Sequence, residues 1–178
     1  YNQLDQLLTT EYSDAEEGSV LYAYDEEGKR VSMTDLTGTS TYTYDEAGRI
    51  TGVRGGDGNV ILYSYDSFGN LSELTYPDGS QVSYEYDALD RLIQVTDREG
   101  KETDYTYDVS GNMTRVQRPN GTRTELVYDE ANDLRSVKNY EQKQLISSYE
   151  YTYDYSGNVL TETILQDGKT TTWQYGYN

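Results

Sequence analysis

The sequence predicts an all-β fold in which repetitive antiparallel β-hairpins form one long, curled sheet. Three observations support this prediction. The motif Tyr-x-Tyr-Asp recurs at intervals close to 21 residues, which is typical of a repeat architecture built from small supersecondary units. Large and small side chains alternate before each Asp, as in a β-strand, and no stretch shows the period of a helix. Turn residues recur between the strands.

The repeat extends along the whole sequence. Counted from the second tyrosine of the motif, successive copies are separated by 20, 21, 21, 21, 21 and 25 residues. These marker tyrosines are Tyr24, Tyr44, Tyr65, Tyr86, Tyr107, Tyr128 and Tyr153. Residues 1–7 and 175–178 carry further parts of the pattern. We therefore expect residues 1–178 to be a single array of about eight repeats that is truncated within a repeat at both ends.

Each repeat begins with a strand that ends at the aspartate. In residues 41–44, Thr-Tyr-Thr-Tyr, the rings lie on one face of a strand and the hydroxyl side chains on the other. Asp45 and Gly48 then suit the first and fourth positions of a type I turn. The carboxylate can accept a backbone hydrogen bond, and the glycine permits positive φ. Asp90 and Asn132 replace this glycine in two copies, and Asp and Asn tolerate positive φ better than other residues.

A second strand and a second turn complete the repeat. In residues 49–53, Arg-Ile-Thr-Gly-Val, the main apolar positions are three apart. Either both faces of this strand carry apolar surface, or a β-bulge intervenes. Residues 139–144, in the repeat of 25 residues, are predicted to extend one hairpin beyond the common rim. The second turns are predicted at Asp57-Gly58, Pro77-Asp78-Gly79, Arg98-Glu99-Gly100, Pro119-Asn120-Gly121 and Asp167-Gly168.

Two short strands per repeat give a wide sheet. With strands about 4.8 Å apart, eight such units extend roughly 75 Å, so the sheet has to twist and curl. The residues assigned a structural role in the repeat motif are Tyr22, Tyr24, Asp25, Gly28, Tyr42, Tyr44, Asp45, Gly48, Tyr63, Tyr65, Asp66, Gly69, Tyr84, Tyr86, Asp87, Tyr105, Tyr107, Asp108, Gly111, Tyr128, Asp129, Tyr151, Tyr153, Asp154 and Gly157.

The composition raises the alternative of a disordered acidic chain. Leu, Ile, Val and Phe make up only 32 of the 178 residues, and the formal net charge is −18. The 21 tyrosines favour order instead, because each can bury a ring while its hydroxyl stays hydrogen-bonded, and disordered chains are poor in aromatic residues. The acidic balance disfavours binding to nucleic acid, and no apolar run is long enough for membrane insertion.

The residue types also limit the chemistry. The sequence has neither Cys nor His, which excludes disulfides, thiolate or imidazole metal sites and Ser-His-Asp triads. Calcium binding by the repeated aspartates is less favoured than turn formation, because calcium needs six to eight converging oxygens. A carboxylate pair for glycoside cleavage should interrupt the repeat, whereas these acids obey it. We therefore predict no catalytic, cofactor-binding or metal-binding residue and no enzymatic activity.

The paired tyrosines admit two interpretations. They can form a platform on which sugar rings stack, or a structural ladder in which each pair stabilises its neighbours. The ladder is favoured, because the tyrosines keep the spacing of the repeat.

The motif Tyr-x-Tyr-Asp-x-x-Gly-[Arg/Asn]-[aliphatic], as in residues 42–50, resembles the YD repeat of Rhs proteins. Similar repeats occur in wall-associated polymorphic toxins, in the cocoon subunits of Tc toxins and in teneurins. The resemblance implies a long antiparallel sheet wound into a spiral, of which this chain would be a partial shell. In toxin relatives the shell encloses a C-terminal effector, which an adjoining Asp-Pro-rich core cuts free. Here the only prolines, Pro77 and Pro119, lie in turns, and no such core or effector-like tail is present.

The resemblance and the composition leave two functional hypotheses. The resemblance favours a structural scaffold whose partners are the remainder of its own repeat shell and an enclosed effector. The alternative is an extracellular adhesion module that binds glycans or a cell-surface protein. In both cases the protein is expected to be secreted or at the cell surface, and the regularity of the repeats favours a bacterial source.

Overall fold

A computed structural model of the chain describes residues 1–12 and 18–177. These residues form sixteen β-strands, and in sheet order the strands follow their order along the chain. Every observed strand pair is antiparallel. The described part of the chain contains no helix with the length and apolar character needed to cross a membrane. The prediction of an all-β fold made of repetitive antiparallel hairpins is confirmed.

The chain divides into two compact units, residues 1–83 and 84–178, with the boundary inside strand β8. The strands of the first unit are β1 Thr9–Glu11, β2 Ser19–Tyr24, β3 Arg30–Asp35, β4 Gly38–Tyr44, β5 Ile50–Arg54, β6 Val60–Tyr65 and β7 Leu71–Thr75. Strand β8, Gln81–Tyr86, pairs with β7 through its first residues.

The second unit continues the same alternation of strands and turns. Its strands are β9 Leu92–Thr96, β10 Glu102–Tyr107, β11 Met113–Gln117, β12 Thr122–Tyr128, β13 Leu134–Glu141, β14 Gln144–Tyr153, β15 Val159–Gln166 and β16 Lys169–Gln174. Strands β13 and β14 have 8 and 10 residues, whereas β9, β10 and β11 have 5 or 6. The extended hairpin predicted around residues 139–144 is therefore present, with its turn at Gln142 and Lys143. Asn178, at the aspartate position of a further repeat, lies outside the described residues.

A β-bulge beside the second tyrosine of the motif explains the spacing of the apolar positions in the second strand. Tyr44 pairs with Ile50, but Thr43 pairs with Gly52, so Thr51 is the extra residue of the bulge. Tyr42 then pairs with Val53. The bulge thus brings the two aliphatic side chains, three apart in sequence, opposite the two tyrosines on one face. Equivalent register shifts occur immediately before Tyr24, Tyr65, Tyr107, Tyr128 and Tyr153.

The sheet has no fully buried hydrophobic side chain among the described residues. Its tyrosines are instead half-buried: all thirteen tyrosines of the repeat motif fall between the buried and the exposed classes. In β2 and β4 this partial burial alternates strictly with exposure, so one face carries the rings and the other is open to solvent. Cross-strand pairs of aromatic and aliphatic side chains therefore supply the packing that a closed core supplies elsewhere.

Candidate functional site

Each first turn is held by its aspartate through both backbone and side chain. At Asp45 the backbone carbonyl accepts from the amide of Gly48 at 3.0 Å, and the φ of Gly48 is 80°. The carboxylate Oδ1 accepts from the amide of Arg49 at 2.9 Å. Asp25, Asp66, Asp87, Asp108, Asp129 and Asp154 make the same Oδ1 contact with the amide four residues on.

The glycine position of this turn requires positive φ in every copy. Gly28, Gly69, Gly111 and Gly157 have φ between 81° and 99°. Asp90 and Asn132, which replace the glycine, have φ of 58° and 66°. The turn therefore selects glycine, or the polar residues that adopt this conformation at the lowest cost.

In five of the seven copies, the side chain of the residue after the glycine position donates a hydrogen bond to the turn aspartate. Arg49 donates from Nε to Asp45 Oδ2 at 2.8 Å, and Arg91 makes the same bond to Asp87 at 2.7 Å. Where the residue is asparagine, Nδ2 takes this role: Asn70, Asn112 and Asn158 donate to Oδ2 of Asp66, Asp108 and Asp154 at 3.2, 3.1 and 2.9 Å. Arginine and asparagine at this position of the motif therefore make the same contact with the aspartate.

These hydrogen bonds lower the pKa of several turn aspartates. The hydrogen bond from the Arg91 side chain is the main reason that the pKa of the Asp87 carboxyl lies below its ordinary value of 3.8. The side chain of Asn158 has the same effect on the pKa of Asp154. At Asp108 desolvation raises the pKa, but the hydrogen bonds from Asn112 outweigh it, and the net pKa is lowered. The turn therefore stabilises the charged form of these carboxylates.

Five of the marker tyrosines, and Tyr177 of the next repeat, each donate a hydrogen bond that links their repeat to the preceding one. The donor is the phenolic hydroxyl, and the acceptor is the backbone carbonyl of the first residue of the preceding repeat's second strand or, for Tyr24, of Leu7, two residues before β1. Because these contacts recur with the motif, we call them the inter-repeat tyrosine bonds. They join Tyr24 to Leu7 (3.0 Å), Tyr44 to Arg30 (2.7 Å), Tyr65 to Ile50 (2.8 Å), Tyr107 to Leu92 (2.8 Å), Tyr153 to Leu134 (2.6 Å) and Tyr177 to Val159 (3.0 Å).

The accepting carbonyl belongs to a residue that lies outside the ladder between its own strand and the following strand. Strands β5 and β6 pair from Gly52 to Arg54, so Ile50 lies two residues before the first paired residue. The tyrosine hydroxyl reaches this residue across the place where the two strands stop pairing. The ladders β1–β2, β3–β4, β9–β10, β13–β14 and β15–β16 likewise begin two residues after the accepting carbonyl. The bond therefore satisfies a backbone acceptor that the ladder leaves unpaired.

Basic residues of the first turn also contact the ring of the next marker tyrosine. The guanidinium carbon of Arg49 lies 4.5 Å from the ring centroid of Tyr65, and that of Arg91 lies 4.8 Å from the centroid of Tyr107. Lys29 Nζ lies 5.8 Å from the centroid of Tyr44. At these distances a cation is attracted to the ring face. In the repeats with arginine, one side chain thus connects the aspartate of its own turn to the tyrosine of the next repeat.

One position departs from the apolar pattern opposite the tyrosines. Glu162 pairs with Tyr151, where the equivalent partner of Tyr42 is Val53. Tyr175 donates to Glu162 Oε2 at 2.9 Å. This hydrogen bond is the main reason that the pKa of Tyr175 is raised. The pKa of Tyr151 is also raised, mainly by desolvation and further by the charge of Glu162. The carboxylate is thus bonded within the tyrosine face.

The described residues contain no cluster of three or more acidic side chains placed to hold a metal ion. The turn aspartates lie one per turn and direct their oxygens to the amides of the same turn. This arrangement closes the turns.

The motif residues therefore act as one repeated constellation of tyrosine, aspartate and Arg or Asn. The sequence pattern predicts the structural role of the tyrosines and aspartates, but it does not indicate the partner of the residue after the glycine or the acceptor of the tyrosine hydroxyl. The composition did indicate that the tyrosine hydroxyl has a role. The sequence has 21 tyrosines and one phenylalanine, although either residue could supply a ring for packing.

The sequence matches the RHS Repeat family over three overlapping stretches, residues 44–81, 65–102 and 86–123. No curated protein sequence matches the chain. Among solved structures, the chain is similar to crystal structures of TcdB2-TccC3 with Cdc42 and of TcdB2-TccC3 itself, with TM-scores of 0.71 and 0.72 and 17% identity in each case. Each match covers 88% of this chain and 10% of the other.

A third similar structure is the Tc holotoxin pore of Photorhabdus luminescens in a TccC3 mutant form, with a TM-score of 0.52 and 18% identity. That match covers 87% of this chain and 11% of the other, so the chain spans about a tenth of the length of the structures it matches. At such identities the likeness shows the fold. Residues 44–123 match RHS repeats, and the same Tyr-Asp motif continues on both sides of them.

Proposed function

We propose that this chain is a wall segment of a secreted bacterial β-shell that encloses an effector and helps to deliver it. Its role in that shell is structural. The observation that carries the proposal is the inter-repeat tyrosine bond, which recurs within both units and joins one repeat to the repeat before it. A wall needs such contacts because each repeat has only two short strands and cannot bury a core alone.

The likeness to TcdB2-TccC3 structures supports the finer part of this proposal. Those structures contain TccC3, and one of them also contains Cdc42. By analogy, the partners of this chain are the rest of its own shell and an enclosed effector. The repeat constellation supports a scaffold rather than an enzyme, since its carboxylates are bonded into turns.

The main alternative, an adhesion module that binds glycans through its tyrosines, is less well supported. A stacking platform needs exposed ring faces, whereas the motif tyrosines are half-buried and the marker hydroxyls of Tyr44, Tyr65 and Tyr107 are bonded to backbone carbonyls. In addition, Arg49 and Arg91 lie over two of these rings.

The proposal is tested on the native protein purified from its source. Denaturing electrophoresis and mass spectrometry should find a C-terminal fragment that has been cut from the repeat chain yet co-elutes with it in size-exclusion chromatography. Release of that fragment only after denaturation would support enclosure. An intact chain without a retained fragment would contradict encapsulation, and binding to glycan arrays would then test the adhesion alternative.

A further inference from the structure

Asn120 differs from the turn-closing asparagines in its neighbour on the C-terminal side. It precedes Gly121, whereas Asn70, Asn112 and Asn158 precede Leu, Met and Val. A glycine has no side chain to hinder the approach of its own amide nitrogen to the preceding side chain. Asn120 is exposed, and a Cβ added at Gly121 would meet only Gln142 Cγ at 3.9 Å. The Asn-Gly pair is therefore accessible and uncrowded.

The hydrogen bonds of Asn120 also differ from those of the turn-closing asparagines. Its Oδ1 accepts from the amide of Thr122 at 3.0 Å and from the Thr122 hydroxyl at 2.7 Å. Two donors on this oxygen polarise the side-chain carbonyl and make Cγ more electrophilic. By contrast, Asn112 donates from Nδ2 to Asp108 and to Asn132, which holds the amide nitrogen in place.

We propose that Asn120 is a site of spontaneous deamidation through a succinimide. After loss of its proton, the amide nitrogen of Gly121 attacks Cγ of Asn120, a C–N bond forms, and Nδ2 leaves as ammonia with that proton. Water then opens the ring. Cleavage of the new Cγ–N bond gives aspartate, and cleavage of the original peptide bond gives isoaspartate, so that the net reaction consumes one water and releases one ammonia.

The reaction requires a brief opening of the turn, because the amide of Gly121 donates to the carbonyl of Arg118 at 3.1 Å in the closed state. The turn is at the surface, and Pro119 and Asn120 are both exposed. Such turns open locally at low cost.

The fold already shows that the aspartate product fits. In the equivalent turn of the first unit, Asp78 precedes Gly79 and accepts from the Ser80 amide at 2.9 Å and the Ser80 hydroxyl at 2.6 Å. Those distances match the ones at Asn120, so deamidation to aspartate keeps the turn and adds one negative charge. Isoaspartate adds a methylene to the backbone, and it disturbs the bond from the Gln142 amide to the Gly121 carbonyl at 3.1 Å.

The test is incubation of the folded chain at mildly alkaline pH, with tryptic peptide mass spectrometry as the readout. Because trypsin does not cut before Pro119, Asn120 is carried by the peptide of residues 116–123, and Asn112 by the neighbouring peptide of residues 102–115. We expect the first peptide to lose its amide, with aspartate and isoaspartate as separate products, while the second retains its amide. Retention of both amides would overturn the proposal, as would conversion that occurs only in urea.

Two variants make the test independent of this single turn. Asp78→Asn puts the same Asn-Gly pair into the equivalent turn and should create a second deamidating site; if it stays amidated, the turn geometry is not what permits the reaction. Asn120→Asp reproduces one product and should unfold at the same urea concentration as the parent chain. A lowered midpoint would contradict the inference that the aspartate product fits.

Discussion

The phenolic hydroxyl of Tyr65 donates a hydrogen bond of 2.8 Å to the backbone carbonyl of Ile50, fifteen residues earlier. Ile50 opens the second strand of the preceding repeat and lies outside the β5–β6 ladder. The contact therefore holds two hairpins together at the point where their strands stop pairing. Its recurrence explains why the repeat uses tyrosine, since a phenylalanine ring would leave the carbonyl without its donor.

Tyr65→Phe tests the contribution of this contact to stability. The substitution keeps the ring and removes the donor, so the part-buried Ile50 carbonyl loses its partner. We expect the free energy of unfolding to fall by about 1 kcal/mol, the usual net value of one hydrogen bond. The measurement is urea unfolding monitored by circular dichroism.

Tyr63→Phe is the matched control for this experiment. Tyr63 lies on the same strand and face, pairs with Leu74, and its hydroxyl makes no hydrogen bond to a described residue. The control should unfold like the parent chain. Equal losses in the two variants would mean that the ring environment, rather than the bond to Ile50, determines the effect.

Arg49 offers a second test, because it contacts Asp45 in its own turn and the ring of Tyr65 in the next repeat. Arg49→Asn should keep a hydrogen bond to Asp45, as Asn70 does with Asp66, but lose the cation–π contact and the positive charge of the ion pair with Asp45. The cation–π contact is worth about 0.5–1 kcal/mol at exposed sites. Arg49→Ala should be the less stable of the two in thermal unfolding, since it loses both contacts. Equal midpoints for the two variants would show that the bond to Asp45 adds nothing.

The strands, their pairing and the turns could be predicted from the sequence because each depends on local spacing. The alternation in residues 41–44 determines which face carries Tyr42 and Tyr44, and Gly48 marks positive φ whatever its surroundings. The sequence could not distinguish a bulge at Thr51 from a strand with apolar residues on both faces, because the bulge depends on how the partner strand aligns. The acceptor of the Tyr65 hydroxyl also depends on non-local pairing. The β5–β6 ladder ends at Gly52, and this leaves the carbonyl of Ile50 free to accept.

The requirement for positive φ is tested at Gly111, whose φ is 91°. A Cβ added there meets no atom within 4 Å, so a substitution acts through backbone strain alone. Gly111→Val should destabilise the chain on the order of 1–3 kcal/mol, because β-branched residues resist this conformation. Gly111→Asn should be tolerated better, since Asn132 occupies the equivalent position at 66°. Differential scanning calorimetry of both variants decides this: equal melting temperatures for Val and the parent glycine would contradict the turn assignment.

Acid should weaken the turns through the aspartates whose pKa is lowered. The pKa of Asp108 is below 3.8 in the folded chain and near 3.8 when unfolded, so the unfolded chain binds the proton more readily. Stability from this group is therefore fully present above pH 3.8 and is lost as the pH falls through the folded pKa. The net charge of −18 works in the opposite direction, because acid relieves the mutual repulsion of the carboxylates.

Asp108→Asn separates the two effects. Asn2 already occupies the aspartate position of the first turn and accepts from the amides of Leu4 and Gln6 at 2.9 and 3.0 Å, so an asparagine at 108 should keep the backbone bonds. The variant should fold at neutral pH, and the stability gap between parent and variant should narrow as the pH drops from 5 to 2, because only the parent has a carboxylate there to titrate. Urea midpoints measured across this range test the sign. A gap that stays constant would show that the Asp108 charge contributes nothing to the turn, whereas a gap that widens in acid would mean that its folded pKa is raised rather than lowered.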